Sequence, residues 1–384
     1  MTAIGIHDIE LATAHHVVDL ADLAEARGVD PAKFQKGLGQ DEFSFPAPDE
    51  DVVTMGATAA HRLLERTGTE GIRTLMFATE TGVDQSKSTA VYVHKLLDLP
   101  GEVRSFELKQ ACYSGTGALQ AAIGIVARNP EERVLVISAD VARYEMNSPG
   151  EPTQGAGAVA MLIAADPALV EIDPASGVYS EDVDDFWRPN DSTTAVVDGG
   201  LSITAYLKSV EKAWKDLEQH GGPSLSDIKA FVYHQPFTKM ARKAQAHLAQ
   251  VTGAELNDGA LDTGSVYNRR MGNSYTASLY SALTSLLHHE DDLTGKRVGL
   301  VSYGSGSVAE MITGIVKADE DSRRRVRDKV LGMLDGRVRL SVPDYEGLHE
   351  NSMPSADDTD TPRVTGSPFR FAGIRGRARH YERV

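Results

Sequence analysis

The sequence predicts an α/β layered fold built from two fused halves, and three observations carry that prediction. Short apolar runs rich in β-branched residues alternate with stretches of helical periodicity, the pattern of sheets covered by helices. At 384 residues the chain exceeds what one ordinary core needs. Landmarks in its first part recur in the same order further on, at nearly constant spacing.

Residues 51–66 place Val53, Ala57, Ala60 and Leu64 on one helix face, and residues 73–79 read as a buried strand ending at Glu80. The small-residue turn Ala111-Cys-Tyr-Ser-Gly-Thr-Gly-Ala118 leads into a helix that begins at Cys112 and runs to about Arg128. Strands follow at 133–138 and 158–164, the second preceded by Gly155-Ala-Gly157, where small residues let backbones approach closely. The second half repeats this order. Strand 230–233 ends at His234, the turn Met271-Gly-Asn-Ser-Tyr-Thr-Ala-Ser278 leads into a helix, and strand 297–302 matches 133–138. The offsets are 154 residues from Glu80 to His234, 161 from Cys112 to Asn273 and 164 from Arg133 to Arg297. Such a duplication brings the polar strand ends of both halves to one site. The halves are set at 1–165 and 166–318, followed by a C-terminal extension, 319–384. In the extension, residues 319–334 read as an exposed amphipathic helix with a solvated charged face. Residues 351–367 read as a surface loop, and 369–384 as a short element laid on the surface.

Composition excludes several functions. Lys plus Arg of 39 against Asp plus Glu of 55 gives a net charge of -16, which argues against nucleic acid as the main partner. An anionic ligand must then meet a local basic patch. No run of 18 apolar residues appears, so no membrane helix is expected. The start, Met1-Thr-Ala-Ile-Gly-Ile, has neither a basic nor an apolar leader region, so a cytoplasmic location is expected. Cys112 is the one cysteine, which removes intrachain disulfides and multi-cysteine zinc sites. No metal and no cofactor is expected.

The chemistry begins at Cys112. A thiol at a helix N-terminus meets unpaired N–H groups and the positive end of the macrodipole, which lower its pKa and suit it to nucleophilic attack. Gly115 and Gly117 are expected to clear side chains from the turn that a substrate carbonyl approaches. The alternative is a small buried hydrophobe. Glu80, in Ala78-Thr-Glu-Thr-Gly82, stands where a buried strand meets a loop, and desolvation there raises a carboxyl pKa into the acid/base range. Its alternative is solvated surface charge. His234 lies in Tyr233-His-Gln-Pro-Phe-Thr-Lys239, where the proline fixes the loop beyond the strand. A lone strand-end histidine is otherwise structural. Lys239, Arg242 and Lys243 share one face of a helix start, the patch a phosphate needs in an acidic protein, or else a solvated face. The loop Gly304-Ser-Gly306-Ser307 can offer N–H groups to an oxyanion, although Gly-Ser turns are common.

Together these motifs resemble the 3-hydroxy-3-methylglutaryl-CoA synthases. The resemblance is carried by Glu80 in Thr-Glu-Thr, Cys112 in Gln-Ala-Cys-Tyr, His234 in His-Gln-Pro-Phe-Thr-Lys, Asn273 in Gly-Asn-Ser-Tyr-Thr and the Ser-Tyr-Gly-Ser-Gly-Ser loop. Gly150-Glu-Pro-Thr-Gln-Gly-Ala-Gly-Ala158 and Asp185-Phe-Trp-Arg-Pro189 are similar to its bacterial form. The resemblance implies a thiolase-like fold with αβαβα layers, and a homodimer. It implies an acyltransferase making 3-hydroxy-3-methylglutaryl-CoA from acetyl-CoA, acetoacetyl-CoA and water, as in the mevalonate pathway. Coenzyme A thioesters are then substrates rather than cofactors. By the same resemblance Cys112 carries the acetyl group, Glu80 is the general acid/base of condensation, and His234, assisted by Asn273, holds the acceptor. The amides of Cys112 and Ser307 form the oxyanion hole, Tyr144 lines the acyl pocket, and Lys239 and Lys243 meet the coenzyme A phosphates. The run Ser114-Gly-Thr-Gly117 departs from the family and leaves the acyl-chain preference open.

Four other readings compete. A degradative thiolase needs a second cysteine, which the chain lacks. An initiating ketoacyl synthase shares Cys, His and Asn but uses no carboxylate at the position of Glu80. A β-branching synthase acting on acyl-carrier-protein-bound β-ketoacyl chains in polyketide assembly would use identical catalytic residues. A non-catalytic scaffold would have no reason to keep the whole set.

Overall fold

The apolar runs become strands of a sheet that is buried on both faces, which is why they read as continuous rather than alternating. The computed structural model describes residues 2–350 and 357–384. Its first half contributes β1 (Ile4–Thr13), β2 (Ile72–Ala78), β3 (Arg104–Leu108), β4 (Arg133–Ala142) and β5 (Gly155–Ala165). The second half contributes β6 (Val170–Ser180), β7 (Ile228–Tyr233), β8 (Arg297–Gly304) and β9 (Val308–Val316). The helices that cover them are α1 (Val52–Thr67), α2 (Thr89–Leu96), α3 (Ser114–Arg128), α4 (Gly199–Gln219), α5 (Met240–Thr252) and α6 (Ser278–His289).

The strand order is β7-β8-β9-β6-β1-β5-β4-β2-β3. Reading outward from β1, the first half pairs antiparallel with β5, antiparallel with β4, then parallel with β2. Reading outward from β6, the second half does the same through β9, β8 and β7. The repeat inferred from spacing is thus a repeat of strand pairing. The halves join where Gly5 and Ile6 of β1 face Glu171 and Val170 of β6.

Successive side chains on a strand point to opposite faces, and each half uses both. On β4, Leu135 and Ile137 pack outward with Val53 and Leu63 of α1, while Val134 and Val136 pack inward. The inward layer holds Leu119 and Ala122 of α3 and Leu283 and Leu286 of α6, closed on its other side by Val232, Leu300 and Ile312 of the second half. Beyond that lie Tyr206, Val210 and Trp214 of α4 against Phe231 and Val301. The result is the expected five layers, α1, sheet, α3 with α6, sheet, α4.

Strands β1, β3, β6 and β9 are additional to those read from sequence. β1 is masked by buried charges: Asp8 is paired with Arg66 (3.1 Å) and Arg325 (2.6 Å), and Glu10 also contacts Arg66. The segment after residue 318 also differs from its description as exposed. It forms two helical pieces, Glu320–Arg324 and α7 (Arg327–Asp335), and Val330 and Leu334 of α7 enter the central core. Arg323 is buried, and its guanidinium donates to the carbonyls of Leu287 (2.6 Å) and Glu290 (3.1 Å). Of the expected loop, residues 351–356 lie outside the described residues. The final stretch is a hairpin, β10 (Phe369–Arg375) and β11 (Ala378–Arg383), that packs on α1 and α2 and buries Phe369 in the first outer core. Among the described residues no helix is long and apolar enough to cross a membrane, and no group of His, Cys, Asp or Glu is arranged to hold a metal.

Candidate active site

The polar strand ends of both halves do converge. Glu80 follows β2, Cys112 sits two residues before α3, and the Cys112 Sγ lies 3.2 Å from the Glu80 Oε1. Cys112 opens onto a cavity of about 480 Å³ whose walls include Tyr144, His234, Asn273 and Tyr275. Two close approaches permit this assembly. A Cβ on Gly155 would stand 2.4 Å from the Met271 carbonyl, so the small run ahead of β5 admits the Asn273 loop as its composition predicts. A Cβ on Gly115 would stand 2.6 Å from the Ser138 hydroxyl and 2.9 Å from the Thr276 carbonyl. Gly115 therefore makes room for packing of the α3 start, and a Cβ on Gly117 would meet the Tyr113 ring at 3.2 Å. Neither clears a path for substrate, contrary to the sequence expectation.

Burial decides the charges. Glu80 is pushed up to about 8, first by desolvation and then by the neighbouring Asp140. Asp140 accepts hydrogen bonds from the Thr79 hydroxyl (2.7 Å), the Glu80 and Thr81 amides (2.9 and 3.0 Å), the Thr81 hydroxyl (2.6 Å) and both the amide and hydroxyl of Thr276. Burial raises Asp140 as well, but those donors oppose the rise, whereas Glu80 is opposed by the thiol and the more distant Arg188 alone. Glu80 is accordingly the acid that yields its charge. Cys112 is pushed well above the ordinary thiol range by burial and then by the Glu80 carboxylate. This reverses the lowered pKa expected from the helix start, because a free helix end is worth less than desolvation beside a negative group. In this arrangement the Cys112 thiol donates to the Glu80 carboxyl.

His234 is buried, and desolvation pushes it down to about 3, so the imidazole is neutral. Its Nδ1 has no partner, its carbonyl accepts from the Tyr206 hydroxyl (2.8 Å), and the Tyr206 ring stacks on it. The Asn273 Oδ1 accepts from the Tyr275 amide (2.9 Å), leaving its NH2 group as the donor that the side chain can offer. Tyr144 stands in the cavity wall, its amide held by Gln154 (3.0 Å). Lys239 and Lys243 are exposed beside Phe237 and Met240, which line the mouth, and the Lys243 Nζ lies 5.3 Å from the Phe237 ring centre. The Lys239 Nζ donates to the Lys36 carbonyl (3.1 Å), and Arg242, the third cation of the patch, is engaged by Asp262.

Ser307 departs from its expected role. Its amide donates to the Glu181 carbonyl (2.6 Å), and the Gly306 amide donates to Asp185 (2.9 Å), so neither points to the cavity. Ser305 of the same loop does line it. The spacing of Gly and Ser could not distinguish these amides. Three further residues shape the site. Asp140 ties the Glu80 loop of one half to Thr276 of the other, and Asp185 holds the Tyr303 hydroxyl (2.8 Å). Arg188 donates to the Glu80 carbonyl (2.7 Å). The last two lie in the Asp185-Phe-Trp-Arg-Pro189 motif; Asp140 lies just past the strand read at 133–138 and gave no signal of its own.

Comparison with known proteins agrees with this geometry. The N-terminal profile of hydroxymethylglutaryl-coenzyme A synthase matches residues 1–168, and the C-terminal profile matches residues 170–258 and 250–352. A hydroxymethylglutaryl-CoA synthase of Enterococcus faecalis is 39% identical over 96% of both chains. A polyketide biosynthesis 3-hydroxy-3-methylglutaryl-ACP synthase of Bacillus subtilis is 32% identical over 92% of this chain and 89% of its own. A crystal structure of an HMG-CoA synthase complexed with CoA superposes with a TM-score of 0.93 at 37% identity, covering all of both chains. The matched profiles, the identity along the chain and the shared thiolase-like architecture establish that the chain belongs to the hydroxymethylglutaryl-CoA synthase family.

Proposed function

We propose that this chain condenses acetyl-CoA with acetoacetyl-CoA and water to 3-hydroxy-3-methylglutaryl-CoA through an acetyl thioester on Cys112. The observation that carries the reading is the thiol–carboxyl contact of 3.2 Å at the head of a cavity that also holds a neutral His234 and Asn273. The Cys112 sulfur attacks the acetyl carbonyl, and the proton it loses passes to the departing coenzyme A sulfur. The oxyanion is met by the Cys112 amide and, in place of Ser307, by the amide of Ser305, and coenzyme A leaves as its thiol. Glu80 as carboxylate then takes a proton from the acetyl methyl. The resulting carbon attacks the ketone of acetoacetyl-CoA, which His234 and Asn273 polarise as donors, and Glu80 returns its proton to the alkoxide. Water releases the product from sulfur. A carboxyl titrating at about 8 suits both transfers near neutral pH. Lys239 and Lys243 are placed to meet the coenzyme A phosphates.

A carrier-protein acceptor is the alternative. The mouth lysines and the higher identity to the relative named for CoA favour the CoA thioester. Two copies would pair through β3, the edge strand of the first half, where Phe106 is exposed. The deciding experiment offers acetyl-CoA with either acetoacetyl-CoA or acetoacetyl-carrier protein and follows product by mass. Turnover confined to the carrier-bound acceptor would reject the CoA reading. Cys112→Ala should show no acetyl adduct in intact-mass analysis and no turnover, and an adduct on that variant would reject the covalent step.

A further inference from the structure

Cys112 faces the front cavity, but Glu80 does not line it. Behind Glu80 lies a second cavity of about 570 Å³, walled by Phe45, Val83, Leu348 and Phe371 and opening to solvent between the exposed residues Arg188, Asp360 and Pro362. A constriction of about 10 Å³ stands between the two, with Glu80 in its wall. It shares Phe186, Ala195 and Tyr275 with the front cavity. It shares Thr81, Val141, Arg143, Arg188 and Thr193 with the rear one. That volume is close to the space one water needs, and a water also needs two to four polar partners. Glu80 and Thr193, both in its wall, carry two such groups. The Arg143 Nε is a buried donor with no partner, a third group waiting for an acceptor.

The reading under Proposed function, on which this inference rests, ends with hydrolysis of a thioester on Cys112 at a moment when the acceptor's pantetheine arm fills the front cavity. Water must then arrive from elsewhere. We propose that the constriction behind Glu80 delivers the hydrolytic water from the rear cavity to the acyl group on Cys112. Glu80 as carboxylate accepts one proton of that water while the oxygen attacks the thioester carbonyl. The carbon–sulfur bond breaks, the Cys112 sulfur leaves with the electron pair, and the proton passes from Glu80 to sulfur. The carboxylic acid so formed loses its proton to solvent. The same narrowness admits one water at a time and protects the acetyl thioester from premature loss.

The test narrows the constriction from opposite walls with Thr193→Leu and Val141→Leu, neither of which touches Cys112. Acetylation by acetyl-CoA should keep the parental rate and stoichiometry. With acetoacetyl-CoA added, a condensed adduct should accumulate on Cys112 in intact-mass analysis, and turnover should fall about tenfold or more. Thr193→Ala, which widens the passage, should hasten loss of the acetyl group when no acceptor is present. Parental turnover without an adduct in both narrowed variants would overturn the proposal, as would an equal slowing of acetylation and release in both. Failure of the parent chain to form any adduct would instead remove the covalent reading itself.

Discussion

The two halves offer the same two places to the active site, a strand end and the turn before a helix, and fill them with opposite chemistry. In the first half these are Glu80 after β2 and Cys112 before α3, both forced upward by burial next to negative charge. In the second they are His234 after β7 and Asn273 before α6, and His234 is forced downward by burial with no charged neighbour among the causes. Asp140 explains the contrast. It lies in the first half, accepts hydrogen bonds from both halves, and adds to the burial that raises Glu80 and Cys112, whereas no such charge acts on His234. The division places proton movement on one half and neutral hydrogen bonding on the other, so the acceptor can be gripped by groups that do not titrate where Glu80 does.

If that division is real, substitutions on the two halves must fail differently. Glu80→Ala should show the largest effect. The Glu80 carboxylate is itself a cause of the high Cys112 pKa, so its removal leaves acetylation possible while condensation loses about 10²- to 10⁴-fold. Rapid-quench measurement of the two half-reactions checks this, and a variant that condenses at the parental rate would end the acid/base assignment. His234→Ala should leave acetylation intact and raise the KM for acetoacetyl-CoA about tenfold to a hundredfold, the cost of one buried hydrogen bond left unmade. A loss confined to acetylation would break the comparison. Lys239→Ala with Lys243→Ala should act outside the division altogether. Exposed charges contribute about 0.2–1 kcal/mol each, so removing both should raise the KM for both CoA substrates about two- to thirtyfold with turnover little changed. Loss of turnover at unchanged KM would remove them from phosphate binding.

The legible part of this site was the part written locally. A polar residue ending an apolar run gave Glu80 and His234, and a lone cysteine in a small-residue turn gave Cys112. What was not legible depends on which groups meet in space. The amide of Ser307 is spent on Glu181, more than a hundred residues away in the chain, and no turn pattern reveals that. The thiol pKa was misjudged because the helix start is local and the carboxylate beside it is not. β1 was passed over because its buried Asp8 and Glu10 look like surface until Arg66 of α1 is brought to them. The hairpin β10–β11 was likewise read as surface because its buried Phe369 and Ile374 stand among arginines that face outward.

The smallest effect concerns stability and sharpens the comparison from the other side. A carboxyl pushed up to about 8 in the folded chain, against an ordinary value of 4.5, binds its proton more tightly when folded than when unfolded. Its contribution is therefore fully present below about pH 4.5 and is lost as pH rises through 8, because the folded state must then bear a buried charge. Gln has nearly the same shape and no charge at any pH. Glu80→Gln should thus melt close to the parent at pH 5, where Glu80 is protonated, and above it at pH 9 by on the order of a few degrees. His234 runs the opposite way. Its folded value of about 3 against 6.5 places its loss of stability on the acid side, as pH falls from 6.5 toward 3, so it cannot produce an alkaline difference. Thermal melts of the two proteins at both pH values read this directly. Equal melting at pH 9 would mean that Glu80 is solvated well enough to ionise freely, and the electrostatic contrast between the halves would then lose its physical basis.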